Sequence, residues 1–225
     1  MIRKSDTMQT LNEDAHRAKP YETLGDVARG LHDFRNSLLA SVSIGRDVLE
    51  IGCGCGKTAE IVAAVAKSVI AIDEDEDAIK YARKTYSRKN LSYQRVSFED
   101  FPQKNFDVIG MIESIEHVKD QNYVLRKIHK MLNKDGCLFL TTPNDVVQKE
   151  KSPFHTHEFK MDELKEVIGK LFDITAFFGI ENRRTLRFYN YMERRREFKT
   201  MCSDIVVSTE LPERSGYFIV ICKKK

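Results

Sequence analysis

Read for the spacing of its apolar positions, the chain opens on residues 1–20, polar and mixed in charge with no sustained period, a stretch expected as a mobile lead-in. Over residues 21–40, Leu24, Val27, Leu31, Phe34, Leu38 and Leu39 recur at helical spacing and predict an amphipathic helix. Ser43 and Gly45 interrupt it. Five short apolar runs follow, at residues 48–51, 69–73, 91–96, 106–112 and 137–142, and each reads as a strand. The second is apolar at every position before it stops on Asp73, as suits a parallel strand buried on both faces. Residues 57–65, 78–84 and 122–132 read as helices between the strands, the second with carboxylates at 74–77 in its first turn and the third stopped by Gly136.

Past Pro143 the pattern loosens. Residues 145–160 read as loop, 161–171 as helix, 172–178 as strand and 217–222 as a final strand. Between the last two lies an Arg-rich insertion at about 181–211, with a helix predicted over 186–201. Strands alternating with helices predict an α/β fold, a doubly wound and mostly parallel sheet with helices on both faces. The expected division is the lead-in followed by one domain over 21–225.

Composition narrows the class. A chain of 225 residues, 41% hydrophobic, can bury one core. Lys and Arg number 37 against 34 for Asp and Glu, so net charge gives no general affinity for nucleic acid. Five cysteines without a CxxC pair argue against a secreted disulfide framework. No apolar run approaches the roughly 18 residues of a membrane span, and residues 1–6 lack a signal-peptide core, so the expectation is a cytoplasmic protein.

The first strand runs into Gly52, Gly54 and Gly56 at alternate positions, just before a helix. Such a loop lets the backbone approach a ligand closely and presents free N–H groups. A phosphate-binding P-loop would need its first glycine where Ile51 stands, and that reading fails. A dinucleotide fingerprint can be forced onto residues 54–59 but leaves Gly52 unexplained. Cys53 and Cys55 lie between the glycines as small packing residues rather than metal ligands.

A third reading fits better. Glu50 followed by Gly52, Gly54 and Gly56 resembles the acid–glycine motif of class I S-adenosylmethionine-dependent methyltransferases, and the resemblance extends over most of residues 44–178. It implies a seven-stranded sheet whose last strand is antiparallel, with S-adenosylmethionine as cofactor. It also implies that Glu50, Gly52, Cys53, Gly54, Gly56 and Met111 lie at the cofactor. Asp73 matches the acid that binds both ribose hydroxyls, and Glu74 falls where the family often carries an apolar residue against the adenine. Ser97, Phe98 and Glu99 match the adenine-binding turn, with Ser97 where the family commonly has Asp.

Two stretches bear on the acceptor. Glu113, Glu116 and His117 are spaced to meet if their segment turns helically, and His155 and His157 sit in a loop after the fifth strand. Carboxylates and imidazoles in this mixture suit a divalent cation, but a Glu-His pair here also serves simply to cap a helix or orient substrate. The Glu113–Glu116–His117 spacing resembles that of ubiquinone-biosynthesis O-methyltransferases. It is also similar to small-RNA 3′-terminal 2′-O-methyltransferases, whose resemblance implies a metal set of Glu113, Glu116, His117 and His157. The segment 152–159 resembles instead one common in bacterial-type methyltransferases of sugars and small metabolites, where His155 is the shared histidine. Glu113, His117 and His155 are thus the candidate catalytic residues. In the insertion, Arg183, Arg184, Arg187, Arg194, Arg195, Arg196 and Lys199 stand among Phe188, Tyr189 and Tyr191, either as a cover for a phosphate-bearing acceptor or as a solvated face.

The reading that results is O-methylation of a small metabolite, sugar or lipid-precursor hydroxyl. Methylation of an RNA 3′ end is the alternative acceptor reading. A non-catalytic cofactor-binding partner subunit is the alternative from another class, and the oligomeric state is open.

Overall fold

The computed structural model describes residues 21–24, 26–146, 152–183, 185–190, 198–199, 205–208 and 215–225. Five α-helices pack on one mixed sheet: α1 (Asp26–Val42), α2 (Lys57–Ala63), α3 (Glu76–Thr85), α4 (Gln121–Met131) and α5 (Met161–Gly169). The strands are β1 (Asp47–Ile51), β2 (Ser68–Asp73), β3 (Leu91–Arg95), β4 (Phe106–Ile112), β5 (Leu132–Pro143), β6 (Phe172–Arg183), β7 (Thr185–Asn190), β8 (Phe198–Lys199), β9 (Ile205–Ser208) and β10 (Tyr217–Lys224).

Their order is β3-β2-β1-β4-β5-β10-β6-β7-β9-β8. Strands β1 to β5 pair in parallel. β10 inserts antiparallel between β5 and β6, which completes the expected seven-stranded core. Alternation along the central strands puts apolar side chains on both faces. Leu49 and Ile51 of β1, with Ile109 and Met111 of β4, face a core closed by Val124, Leu125 and Ile128 of α4 and Leu164 and Ile168 of α5. Val48 and Val108 face the opposite core, closed by Leu31 and Leu39 of α1, Val62 of α2 and Ile79 of α3. Each carboxyl-terminal strand end along β2-β1-β4-β5 therefore meets a loop on one edge of the sheet, where ligands of open α/β folds bind.

The insertion departs from expectation. In place of a helix over 186–201, residues 185–190 form β7, which continues the sheet antiparallel to β6 with Asn182 opposite Leu186. The sequence Thr-Leu-Arg-Phe-Tyr is rich in β-branched and aromatic residues, and β6 offers an unpaired edge that such a run satisfies better than an isolated helix. β9 and the two-residue β8 extend the same sheet. Arg184, Tyr191, Arg194, Arg195 and Arg196 lie outside the described residues, as does the lead-in over 1–20. A smaller difference is at the end of α4, which stops at Met131. Leu132 already takes extended backbone, so residues 133–136 belong to β5 instead of a glycine stop.

Among the described residues, no helix is long and apolar enough to cross a membrane.

Candidate active site

The three loop glycines all take positive φ: 72° at Gly52, 49° at Gly54 and 84° at Gly56. At two of them space as well as torsion forbids a side chain. A Cβ on Gly52 would fall 2.3 Å from Ser114 Oγ, and one on Gly56 would fall 2.7 Å from Ala82 Cβ and 2.8 Å from the Tyr93 ring. The Tyr93 hydroxyl donates to the Gly56 carbonyl oxygen at 2.9 Å, which holds the loop against β3. The loop turns directly into α2, whose first N–H groups face its rim.

Asp73 ends β2 across from this loop. Its Oδ2 accepts the Gly54 N–H at 2.8 Å and its Oδ1 accepts the Asp75 N–H at 2.9 Å. A carboxylate has about four acceptor positions, so both oxygens keep capacity for donors from a ligand. Asp75 is the true cap of α3, taking the N–H groups of Asp77 and Ala78. Glu74 is thereby left on the rim rather than in the helix.

A cavity of about 990 Å³ opens above these strand ends. Gly52, Gly54, Asp73 and Glu74 line one end; Ser97, Phe98 and Glu99 line a side wall; Ile51, Ile72, Val96 and Met111 form an apolar floor. Glu113, His117 and His155 line the other end. The remaining loop residues are set back: Cys53 and Gly56 are packed beneath the turn, and Glu50 is 3% exposed on β1 with Oε2 lacking a hydrogen-bond partner among the described residues. Burial, reinforced by the Asp73 carboxylate, pushes the Glu50 carboxyl up to about 8. Burial likewise pushes the Cys53 thiol well up, consistent with a packing role.

The side wall depends on a residue not singled out by its motif. Lys127 of α4 donates Nζ to the carbonyl oxygens of Phe98 (2.7 Å), Glu99 (2.9 Å) and Phe101 (2.8 Å), and sits 5.0 Å from the Phe98 ring centroid. The sequence does little to mark it: Lys127 lies between buried Val124 and Ile128, but Arg126 and Lys130 are cations on the same helix. Ser97 has its hydroxyl engaged within the turn, donating to Asp100 Oδ2 at 2.9 Å while accepting the Asp100 N–H at 3.0 Å.

At the acceptor end the expected helical turn is a 3-10 helix, Ile115–His117. Glu116, His117 and His155 present ligand atoms that all lie within 4.8 Å of one another. The two imidazoles meet edge to face with centroids 4.8 Å apart. His117 Nδ1 is 3.2 Å from the Phe154 carbonyl oxygen, so Nδ1 carries the proton in that contact. His155 Nδ1 is bonded to Glu158 Oε1. Burial and the Glu113 carboxylate hold the Glu116 carboxyl well above the usual range.

The fourfold set expected from the small-RNA resemblance is not what comes together. Glu113 turns to Arg35, with Oε1 2.9 Å from Nη1, and accepts the Thr141 hydroxyl at 2.7 Å. His157 points its Nε2 to Glu163 Oε1 at 2.7 Å. The reason lies in the loop: an extended strand would set residues 155 and 157 on one face, but here the chain turns, with the His155 N–H donating to the Ser152 carbonyl oxygen at 3.1 Å and the Thr156 N–H to that of Glu116 at 2.7 Å. His155 therefore joins His117, and His157 turns outward. Gln121 ties the two segments, donating to the carbonyl oxygens of Ile115 (2.9 Å) and His157 (3.0 Å).

A glycine turn against an acid at the end of the second strand, on a sheet of this order, defines a class I S-adenosylmethionine-dependent methyltransferase. A family model described as a methyltransferase domain matches residues 23–191, and the chain belongs to that family. It is 36% identical over 135 residues to a "Probable S-adenosylmethionine-dependent methyltransferase" of Mycobacterium tuberculosis, covering 58% of this chain and 49% of that protein. It is 34% identical over 109 residues to a ubiquinone biosynthesis O-methyltransferase of Glaesserella parasuis, covering 44% of this chain and 46% of that one. The chain thus spans about half the length of these curated relatives. Among solved structures, it shares the fold of the N-methyltransferase NodS from Bradyrhizobium japonicum in complex with S-adenosylhomocysteine, with a TM-score of 0.69, 15% identity, and coverage of 96% of this chain and 97% of that one.

Proposed function

We propose that this chain transfers a methyl group from S-adenosylmethionine to a hydroxyl oxygen of a small acceptor. The observation that carries the reading is one cavity with a glycine loop and Asp73 at one end and paired imidazoles at the other. Asp73 would accept the ribose hydroxyls, the close-approach backbone at Gly52 and Gly54 would take the amino-acid end, and the wall at Phe98 would face the adenine. Ser97 has little left to offer the adenine amine beyond its backbone. Bound S-adenosylmethionine would supply a methyl group on a sulfonium, and transfer breaks the C–S bond, leaves the electron pair on sulfur and forms a C–O bond.

His117 and His155 are the groups beside the acceptor able to take its proton or orient its oxygen. With Glu116 they also form a donor set suited to a divalent cation, of the mixed imidazole and carboxylate kind. The buried, proton-holding state of Glu116 is one that a cation beside it would relieve. A cation there would lower the pKa of the acceptor hydroxyl. The sugar and metabolite reading, which needs His155, is better supported than the RNA reading, which needs His157. The O-methyltransferase names among the relatives point the same way.

The test is incorporation of labelled methyl from S-adenosylmethionine into neutral hydroxyl compounds, catechols, amines and RNA ends. Label in hydroxyl compounds is expected. Label confined to amines would overturn oxygen as the acceptor atom, and failure to bind S-adenosylmethionine would overturn the whole reading.

A further inference from the structure

A second cavity, of about 310 Å³, adjoins the first at the acceptor end. His155 is the side chain that lines both. The second cavity is bordered by Asp145, Thr156, His157, Glu158, Lys160 and Glu163 besides His155, without an apolar side chain among them. The first cavity, by contrast, has an apolar floor at Ile51, Ile72, Val96 and Met111.

Glu158 is the central group. It is 5% exposed, gives Oε1 to His155 Nδ1, and leaves Oε2 without a hydrogen-bond partner among the described residues. A buried carboxylate oxygen left unmatched is costly, and because Glu158 borders the cavity, a donor that enters with a ligand would answer it.

We propose that this second cavity is the acceptor subsite, and that it takes the neutral polyhydroxyl face of a sugar or similar polyol. Glu158 Oε2 receives one hydroxyl of the acceptor and a neighbouring hydroxyl stands at His155, facing the first cavity. This rests on the methyl-transfer reading above and names its substrate class.

The chemistry of the lining speaks against two other classes, and the experiment decides a third. A prenyl or acyl chain would bury its carbons against seven polar residues and gain little. A phosphate would meet Asp145, Glu158 and Glu163 against Lys160, the one permanent cation among the described lining residues, and be repelled. An amine would be drawn to the same three carboxylates, and histamine among the probes below separates it from a polyol. Hydroxyl groups both donate and accept, and a lining that alternates carboxylates with Lys160 and imidazoles answers both functions. The volume is at the small end of ligand sites and suits a single ring.

The experiment uses the full chain with labelled S-adenosylmethionine and four probes: a panel of neutral methyl glycosides, an octyl-substituted catechol, histamine and an RNA oligonucleotide. Label is expected in at least one glycoside. Lys160→Ala and Glu163→Gln are each expected to raise its KM about tenfold, with kcat within about twofold and S-adenosylmethionine affinity unchanged. Several outcomes overturn the subsite while sparing the methyl-donor reading: S-adenosylmethionine binding without glycoside labelling, labelling of catechol, histamine or RNA alone, or a glycoside KM indifferent to both variants. Absence of S-adenosylmethionine binding by equilibrium dialysis overturns the underlying reading instead.

Discussion

Glu113 leans away from the histidines and onto Arg35, its Oε1 lying 2.9 Å from Nη1 of a guanidinium whose side chain is 3% exposed. The contact is close but not well aimed, since among the described residues neither Nη1 nor Nε of Arg35 directs an N–H at an acceptor. Glu113 reaches this position with φ at 48°, a left-handed conformation that a non-glycine residue holds only under constraint from its surroundings. Glu113→Gln leaves a buried cation without its counter-charge and should lower stability by about 2–3 kcal/mol, less than a fully enclosed pair because Glu113 is partly exposed. Urea denaturation measures it, and adding Arg35→Met should recover most of the loss. An unchanged midpoint would mean that solvent already screens the pair.

Asp73→Ala should weaken S-adenosylmethionine binding at least about tenfold, because two hydroxyls lose a charged acceptor. It also releases the Gly54 and Asp75 N–H groups that Asp73 now accepts, so the loop loosens. Calorimetric titration is the measurement; wild-type affinity in the variant would remove Asp73 from the site.

Lys127→Met keeps the length of the side chain and removes three hydrogen bonds to one turn. S-adenosylmethionine affinity should fall about three- to tenfold, alongside a lower melting temperature. If stability falls but affinity does not, the turn has no part in holding the adenine.

Glu50 gives stability a distinctive pH dependence. Its folded-state carboxyl is raised to about 8 by burial and then by Asp73, while in the unfolded chain it titrates at its ordinary value. Between those pH values the folded state holds the extra proton, so stability falls as pH rises through the window, and the loss is complete above about 8. Glu50→Gln should flatten that slope and be the more stable protein at pH 8 and above. Cys53 and Tyr93 also feel this carboxylate, and their own upward shifts leave both neutral across the window. A wild-type slope in the variant would assign the dependence elsewhere.

Titration with manganese or zinc ions tests the cation reading. Binding should vanish in His117→Ala and in His155→Ala and persist in His157→Ala, because only the first two imidazoles share a cluster with Glu116. Equal loss in all three would restore His157 as a ligand. Undiminished methyl transfer in chelator would make the cluster a metal-free acid–base pair.

The sheet was legible because its strands are continuous apolar runs, such as residues 69–72, bounded by glycines and acids. The donor end was legible because its parts are local, each within a few residues of a strand end. The insertion was not: residues 185–190 carry no glycine or proline to mark a hairpin, and their strand exists because β6 supplies a partner. The histidine choice was not legible either, since His155 and His157 are sorted by bonds from Thr156 to Glu116, 40 positions away, and from Gln121 to His157, 36 positions away. Lys127 was hidden for the same reason. Its three acceptors lie on a turn nearly 30 residues earlier.

Gly52 bears on more than its own loop. The space its missing side chain leaves is filled by Ser114, on the turn that leads to Glu116 and His117. A variant at position 52 would thus displace the acceptor's neighbours as well as the loop, and would depress kcat along with affinity for the donor. Kinetic defects in such a variant would be shared between two substrates through a single point of steric contact. Alanine here would need room made at 114 and would still carry the strain of a positive φ, so a single glycine ties the two ends of the site together.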